Sequence, residues 1–310
     1  MPAKKTAVLL IGFGGPASMT EVRPFLESVL EGVQLPQARF DDVMHHYEII
    51  GGVSHYNSTT YKQREALQTW LKSQGSDLSV GVGFHHSSPS FKDAFETFKK
   101  YQVEKVIGFV LSPLRSYPSF QKYQERVETG KIAASAQDIE VVYTEPFFKN
   151  PLFIEAQSER VREIKEMNTK TFTFFTAHSI PFNLSQQSGY AEQFFKSAIL
   201  IANNLGLGKH WDTVWQSRSG DPRDHWLMPD VKDRIGSIDK KKYDSVCLVP
   251  AGFLCDNVEV VYDLDIEAKN MVESIHLRYF RASTVMDHPK FIEMMGSQVL
   301  QKIEHSLLWK

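Results

Sequence analysis

The stretch DNVEVVYDLDIE, residues 256–267, sets five carboxylates among aliphatic and aromatic side chains, with no basic residue until Lys269. On an α-helix turning 100° per residue, Asp256, Glu259, Asp263 and Glu267 fall within a stripe about 80° wide, while Asp265 points elsewhere. Val258, Val260, Val261, Tyr262, Leu264 and Ile266 make the rest of that helix apolar, so most of it is expected to be buried. Like charges four apart cost an exposed helix about 0.2–0.5 kcal/mol each, and burying them without a cation costs far more. Two readings stand: a solvated acidic face, or oxygen ligands at one-turn intervals along which a divalent cation exchanges its water. The alternation in DLDIE also admits a strand.

His178 closes the run FTFFTAHSIP, residues 172–181. A lone histidine at a strand end is more often a hydrogen-bonded structural residue than a ligand. The chain has no HxxxH or HExxH spacing and no GxSxG elbow, so His178 gains chemical meaning only if the fold brings it to Glu259. GFGGP, residues 12–16, opens like a dinucleotide-binding turn but lacks its later glycine; its glycines suit a tight turn or the close approach of a flat ligand. Paired histidines stand at 45–46 and 85–86, and Trp226 in DHWLMPD suits either a core anchor or the wall of an apolar pocket.

These residues need elements to hold them. Strands are expected at Thr6–Ile11, Ser79–Phe84, Lys105–Leu111, Glu140–Thr144, Thr171–Ala177, Asp212–Ser217, Ser245–Pro250 and His276–Phe280. Helices are expected near 20–31, 58–74, 89–101, 119–132, 151–167, 190–204, 257–273 and 289–307. This alternation is the mark of α/β architecture with parallel sheets and right-handed crossovers. Four strands precede residue 150 and four follow it, and 310 residues exceed what one core usually serves, so two domains are expected. Parallel sheets bind ligands beyond the carboxyl ends of their strands, where GFGGP, HHSSP, SPLRS, AHSIP and the acidic segment all fall.

Composition narrows the function classes. A net charge of −2, 42% hydrophobic and 23% charged residues describe an ordinary soluble domain with no basic excess to suggest nucleic acid. Cys247 and Cys255 are the only cysteines. Two thiols without a signal peptide fit the cytoplasm, and they are too few for an all-cysteine iron–sulfur cluster, so none is expected. No apolar run reaches the ~18 residues of a membrane span.

Taken together and in order, GFGGP, HYEIIGGVS (46–54), TAHSIP, VWQSRSGDPRDHWLMPD (214–230) and VPAGFLCDNVEVVYDLDIEA (249–268) resemble the ferrochelatase family over nearly the whole chain. The resemblance implies an enzyme, a lyase of haem and porphyrin biosynthesis that inserts ferrous iron, as substrate, into protoporphyrin IX or coproporphyrin III with release of two protons. It implies two Rossmann-like domains with parallel four-stranded sheets facing a central cleft: 1–114 plus a returning helix at 286–310, and 115–285. His178 and Glu259 are then the catalytic pair, facing each other across a gap wide enough for a flat ring. His178, Glu259, Asp263 and Glu267 handle the metal. Phe13, Gly14, Tyr47, Ser54, His86, Tyr123 and Trp226 are expected along the porphyrin cleft, with Arg115 on a propionate.

In that scheme a neutral imidazole accepts a pyrrole proton near pH 7 while the carboxylates attract and partly desolvate the cation. The chain departs from the family's pattern at Phe13, where relatives carry tyrosine or methionine, at Asn257 in place of a histidine, and at His55 in place of a proline. The loop after His178 is shortened to SGYAE, and VLEGVQLP lacks the usual arginine. Two alternatives remain: a cobalt or nickel chelatase for another tetrapyrrole, against which Asn257 argues, and a non-catalytic haem or tetrapyrrole carrier. Because haem is poorly soluble, transient contact with a membrane surface fits an otherwise cytoplasmic protein.

Overall fold

The computed structural model describes residues 4–31, 37–219 and 223–308. Parts of VLEGVQLP and of SGDPR therefore lie outside the described residues. The chain divides into two compact units, one made of Met1–Ser112, Pro118–Pro146 and Phe291–Lys310, the other of Pro113–Tyr117 and Phe147–Lys290.

The first unit follows the chain as β1 (Thr6–Gly12), α1 (Met19–Leu30), α2 (Gln37–Ile49), α3 (Tyr56–Ser73), β2 (Ser79–Phe84), α4 (Phe91–Lys100), β3 (Lys105–Val110), a π-helical turn (Tyr117–Gln121), α5 (Lys122–Ala133) and β4 (Glu140–Tyr143). Its strands form one parallel sheet in the order β2-β1-β3-β4. The central β3 is buried at every position, as its unbroken apolar run requires when helices cover both faces. Helix α4 starts sharply because Ser90 and Asp93 form a reciprocal capping box, and its Phe91, Ala94, Phe95 and Phe98 lie at helical spacing on one buried face.

The second unit continues with α6 (Pro151–Arg162), β5 (Thr171–His178), α7 (Phe182–Ser188), α8 (Tyr190–Leu205), β6 (Trp211–Gln216), α9 (Val231–Gly236), β7 (Ser245–Val249), α10 (Val258–Val260), a π-helical segment (Val261–Ala268), α11 (Lys269–Ser274) and β8 (Arg278–Arg281). Its sheet is again parallel, in the equivalent order β6-β5-β7-β8. Helix α12 (Pro289–Leu308) ends the chain and packs in the first unit, where a methyl group on Gly296 would lie 2.1 Å from the Trp70 ring.

All eight expected strands are present within two residues of their expected limits. Helices α2, α7 and α9 were not anticipated: α7 and α9 are only 7 and 6 residues long, and α2 has almost no apolar stripe. The boundary expected between 114 and 115 is corrected, because β4 pairs with β3 in register Lys105↔Glu140 and so carries 118–146 into the first unit. The acidic helix is helical as expected, but its middle is π rather than α, an uncommon form that often marks functional sites.

Candidate active site

His178 is the last residue of β5, where its Cα partner on β6 is Gln216. Behind it, β7 ends in a turn so close that a methyl group on Gly252 would lie 2.5 Å from the Ala177 methyl. The His178 carbonyl accepts a hydrogen bond from the buried Tyr190 hydroxyl at 3.1 Å. Its ring Nδ1 lies 2.6 Å from the Ser179 carbonyl, which makes Nδ1 a donor and turns Nε2 toward Glu259, 3.3 Å from Oε1.

Glu259 stands at the start of α10, behind Asn257, whose side chain caps the helix by accepting from the Val260 N–H at 3.0 Å. Burial opposes charge on both partners, yet their mutual attraction prevails. The His178 imidazole is pushed up to about 9 despite its burial, by the Glu259 charge, by their hydrogen bond, by the Ser179 carbonyl and by Asp263. Burial raises the Glu259 pKa, but the His178 charge and hydrogen bonds from His178 and Asn257 outweigh it and hold the carboxyl below its usual value. At neutral pH the pair is an imidazolium and a carboxylate in contact. The contact corrects one expectation: no gap for a flat ring separates these side chains.

The third acid, Asp263, takes a different kind of partner. It lies one turn along, on the π-helical segment, and accepts from the Ser217 hydroxyl in a short contact and from the Gln216 amide at 3.3 Å. Gln216 is 1% exposed. Its amide nitrogen also reaches the Glu259 carbonyl at 3.2 Å, where the α-turn passes into the wider π-turns, and its oxygen accepts from Thr176 at 2.7 Å. Ser217 reaches Asp263 from a left-handed backbone, φ 61°. Burial first, then the charges of Glu259 and Glu267, push Asp263 up to about 7, against the Ser217 hydrogen bond and the His178 charge.

The other acids are compensated from elsewhere in the sequence. Glu267 pairs with Lys232 at 2.9 Å. Arg281, at the end of β8, bridges Asp256 at 3.1 Å and Asp265 at 2.6 Å, and the Tyr279 hydroxyl adds a bond of 3.1 Å to Asp265. The acidic run therefore has its cations, but through space. Among the described residues no three of His, Cys, Asp and Glu are grouped as a ready-made metal cage. His178, Glu259 and Asp263 form instead a graded line of one ion pair and one acid of raised pKa, with Glu267 held apart by its lysine.

Trp226 belongs beside this site. It forms an isolated antiparallel bridge with Pro181, and the Phe182 N–H donates to the His225 carbonyl at 2.7 Å, so the segment after His178 is stitched to the segment that carries Trp226. Arg115 is exposed, in the short segment that goes with the second unit, its backbone N–H donating to the Gln193 side chain at 2.8 Å.

In the first unit the expected ring-binding residues gather at the carboxyl ends of β1 and β2. Phe13 meets His86 edge-on at 4.7 Å between centroids, His86 lies 3.7 Å from His85, and His85 meets Tyr123 at 6.0 Å. Phe25 joins the row, 6.0 Å from Phe13 and 6.4 Å from Tyr47. Gly14 has φ 91°, and a methyl group there would strike the Ser87 hydroxyl at 2.3 Å, so only glycine lets the chain pass. Ser54 is buried, its N–H on the Pro16 carbonyl at 2.9 Å. His85 and Phe25 were not expected here; the HH pair was a signal for the first, and nothing local marked the second.

The family model described as Ferrochelatase matches residues 5–303. The chain belongs to the ferrochelatase family. It is 34% identical to the ferrochelatase of Rhodopirellula baltica over 305 residues, covering 95% of this chain and 85% of that protein. It is 32% identical to the coproporphyrin III ferrochelatase of Mycolicibacterium smegmatis, covering 93% and 87%. Among solved structures it resembles SirB from Bacillus subtilis with Fe3+, at a TM-score of 0.63 and 14% identity over 97% of both chains, which establishes the shared chelatase fold alone. As a member of the ferrochelatase family this protein is a metal-inserting enzyme, a lyase of haem and porphyrin biosynthesis with ferrous iron as a substrate. Among its described residues no helix is long and apolar enough to cross a membrane.

Proposed function

We propose that this ferrochelatase inserts ferrous iron into coproporphyrin III, with His178 and Glu259 as the catalytic pair. The observation that carries the reading is the imidazolium–carboxylate contact of 3.3 Å at the end of β5, backed one turn further by Asp263. The choice of coproporphyrin III is supported by the relatives that bear its name at 32–34% identity.

The charge state of the pair sets the order of events. Insertion needs a base for two pyrrole N–H protons, and a protonated His178 cannot accept one. A divalent cation arriving at Glu259 withdraws the charge that holds the proton on His178, so the imidazole loses its proton to solvent as the metal is bound. The neutral imidazole then accepts a pyrrole proton, releases it, and repeats the step for the second. Asp263, with its pKa near 7, changes charge in the working range and moderates how strongly the cation is held. Gln216 fixes Asp263 and the Glu259 carbonyl together, so the line of acids keeps its spacing as charges change. Trp226, half-buried beside the pair, supplies aromatic surface for the macrocycle.

The test is anaerobic incubation with ferrous iron and, separately, coproporphyrin III and protoporphyrin IX, followed by visible absorption. Metalloporphyrin formed faster from coproporphyrin III supports the reading, and faster turnover of protoporphyrin IX overturns the substrate choice. Binding of either porphyrin without insertion would make the protein a carrier.

A further inference from the structure

We propose that Arg281, the last residue of β8, is a positioning residue for metal insertion: by holding Asp256 and Asp265 behind the acidic segment, it sets the rotation that turns Glu259 toward His178. The inference rests on the reading of His178 and Glu259 as the catalytic pair, and Arg281 acts on the reaction only through the two acids it holds.

The strand order β6-β5-β7-β8 makes β6 and β8 the two edges of the sheet, and the last residue of each holds the segment 258–268. From β6, the Gln216 amide donates to the Glu259 carbonyl at 3.2 Å and to the Asp263 carboxylate at 3.3 Å. From β8, Arg281 Nε donates to Asp265 at 2.6 Å, and its Nη1 donates at 3.1 Å to Asp256, just before the helix begins. Tyr279, on the same strand, places its hydroxyl 2.8 Å from the Leu264 carbonyl and 3.1 Å from that Asp265 oxygen. The other oxygen of Asp256 accepts from the Thr284 N–H at 3.1 Å.

These ties matter because the backbone between them is π-helical. Val260, Leu264, Ala268 and Val272 are fully buried and stand four apart. On an α-helix each step of four drifts by about 40°. The wider π-turns over Val261–Ala268 take up that drift, and they keep both this row and the row Glu259, Asp263, Glu267 in line. The π form is the uncommon one, so it needs contacts that an α-helical winding of the same residues would break.

Asp265 is two residues from Asp263 and therefore on nearly the opposite face of the helix. A cation that holds Asp265 at the back thus fixes Asp263 and, one turn earlier, Glu259 at the front. Arginine suits the task, because its planar fork fixes two acceptors in two directions, whereas lysine is a single point charge. The side chain of Arg281 is 15% exposed, that of Asp256 17% and that of Asp265 31%, so the tie is sheltered from much of the solvent screening that weakens surface pairs.

The experiment is steady-state insertion of ferrous iron by the full-length protein into coproporphyrin III, or into protoporphyrin IX if that is the faster substrate, with thermal unfolding of each variant. Arg281→Lys, which keeps the charge and loses the fork, should lower kcat about 10- to 100-fold and leave the porphyrin KM within about twofold. Arg281→Gln should lose both kcat and melting temperature, and adding Asp265→Asn should return much of the melting temperature without returning kcat. Asp265→Ala, which frees the segment from the fork, is the second variant should Arg281→Gln not fold, with the same fall in kcat. A kcat that recovers in step with the melting temperature shows a merely structural pair and overturns the inference, as does wild-type kcat in Arg281→Lys or Asp265→Ala, or a loss carried by the porphyrin KM. Those results leave the catalytic pair standing. Unchanged kcat in Glu259→Gln, run alongside, removes the pair and this inference with it.

Discussion

Glu259→Gln removes a charge from the site while keeping its shape. In the wild-type protein His178 stands at about 9 against an ordinary 6.5, although burial by itself lowers it. Loss of the Glu259 charge should therefore bring the imidazole back toward 6.5, a change of up to about 2.5 units or ~3.4 kcal/mol at ~1.36 kcal/mol per unit. Solvent screens part of this, since the Glu259 side chain is 38% exposed, and the Ser179 carbonyl and Asp263 still favour the charged ring. We expect a fall of roughly 1–2 units, about 1.4–2.7 kcal/mol.

The assay is an NMR titration of the His178 imidazole between about pH 5 and 10, with thermal unfolding followed over the same range. The sign of the stability effect follows from the directions. A histidine raised on folding stabilises fully below about 6.5 and loses that contribution as pH rises through about 9. Glu259, lowered on folding, stabilises above about 4.5 and loses its contribution as pH falls below that value. Wild-type protein should thus lose stability between pH 6.5 and 9, and the Gln variant should show a flatter profile. A His178 midpoint that stays near 9 in the Gln variant would refute the claim that Glu259 holds its proton.

Asp263→Asn should raise the melting temperature at pH 8 but not at pH 4, because an acid raised to about 7 destabilises the fold only once it ionises; equal shifts at both values, read by calorimetry, count against the raised pKa. Arg281→Met leaves Asp256 and Asp265 without their cation and should cost about 3 kcal/mol in urea unfolding, a loss that adding Asp265→Asn partly restores. Gly252→Ala drives a methyl group against Ala177 one residue from His178, and should cost about 1–3 kcal/mol and lower turnover more than porphyrin affinity.

Period and run length made the strands legible. Thr171–His178 and Ser245–Val249 are apolar runs buried on both faces, and no other local structure suits them. The acidic stripe was legible as a helix because Val260 and Leu264 recur at helical spacing, and both are fully buried. Its π-turns were not, since α and π forms share the same side-chain types and differ only in the backbone bonds between them. The cations were hidden for another reason: Arg281 and Lys232 answer acids 16 to 35 residues away, through a strand pairing and a helix contact that local spacing does not encode. Gln216 lay within a recognised motif, but only its register opposite His178 reveals what it holds.

The placement of α12 bears on how the polypeptide reaches its native state. The first unit draws its last piece, Phe291–Lys310, from the far end of the chain, with Gly296 pressed on Trp70. On the ribosome the sheet of the first unit is made well before Phe291–Lys310, which belongs to that unit, so the intervening second unit can close before the first is finished. Removing Phe291–Lys310 should accordingly injure the first unit, leaving the half that bears His178 and Glu259 comparatively whole.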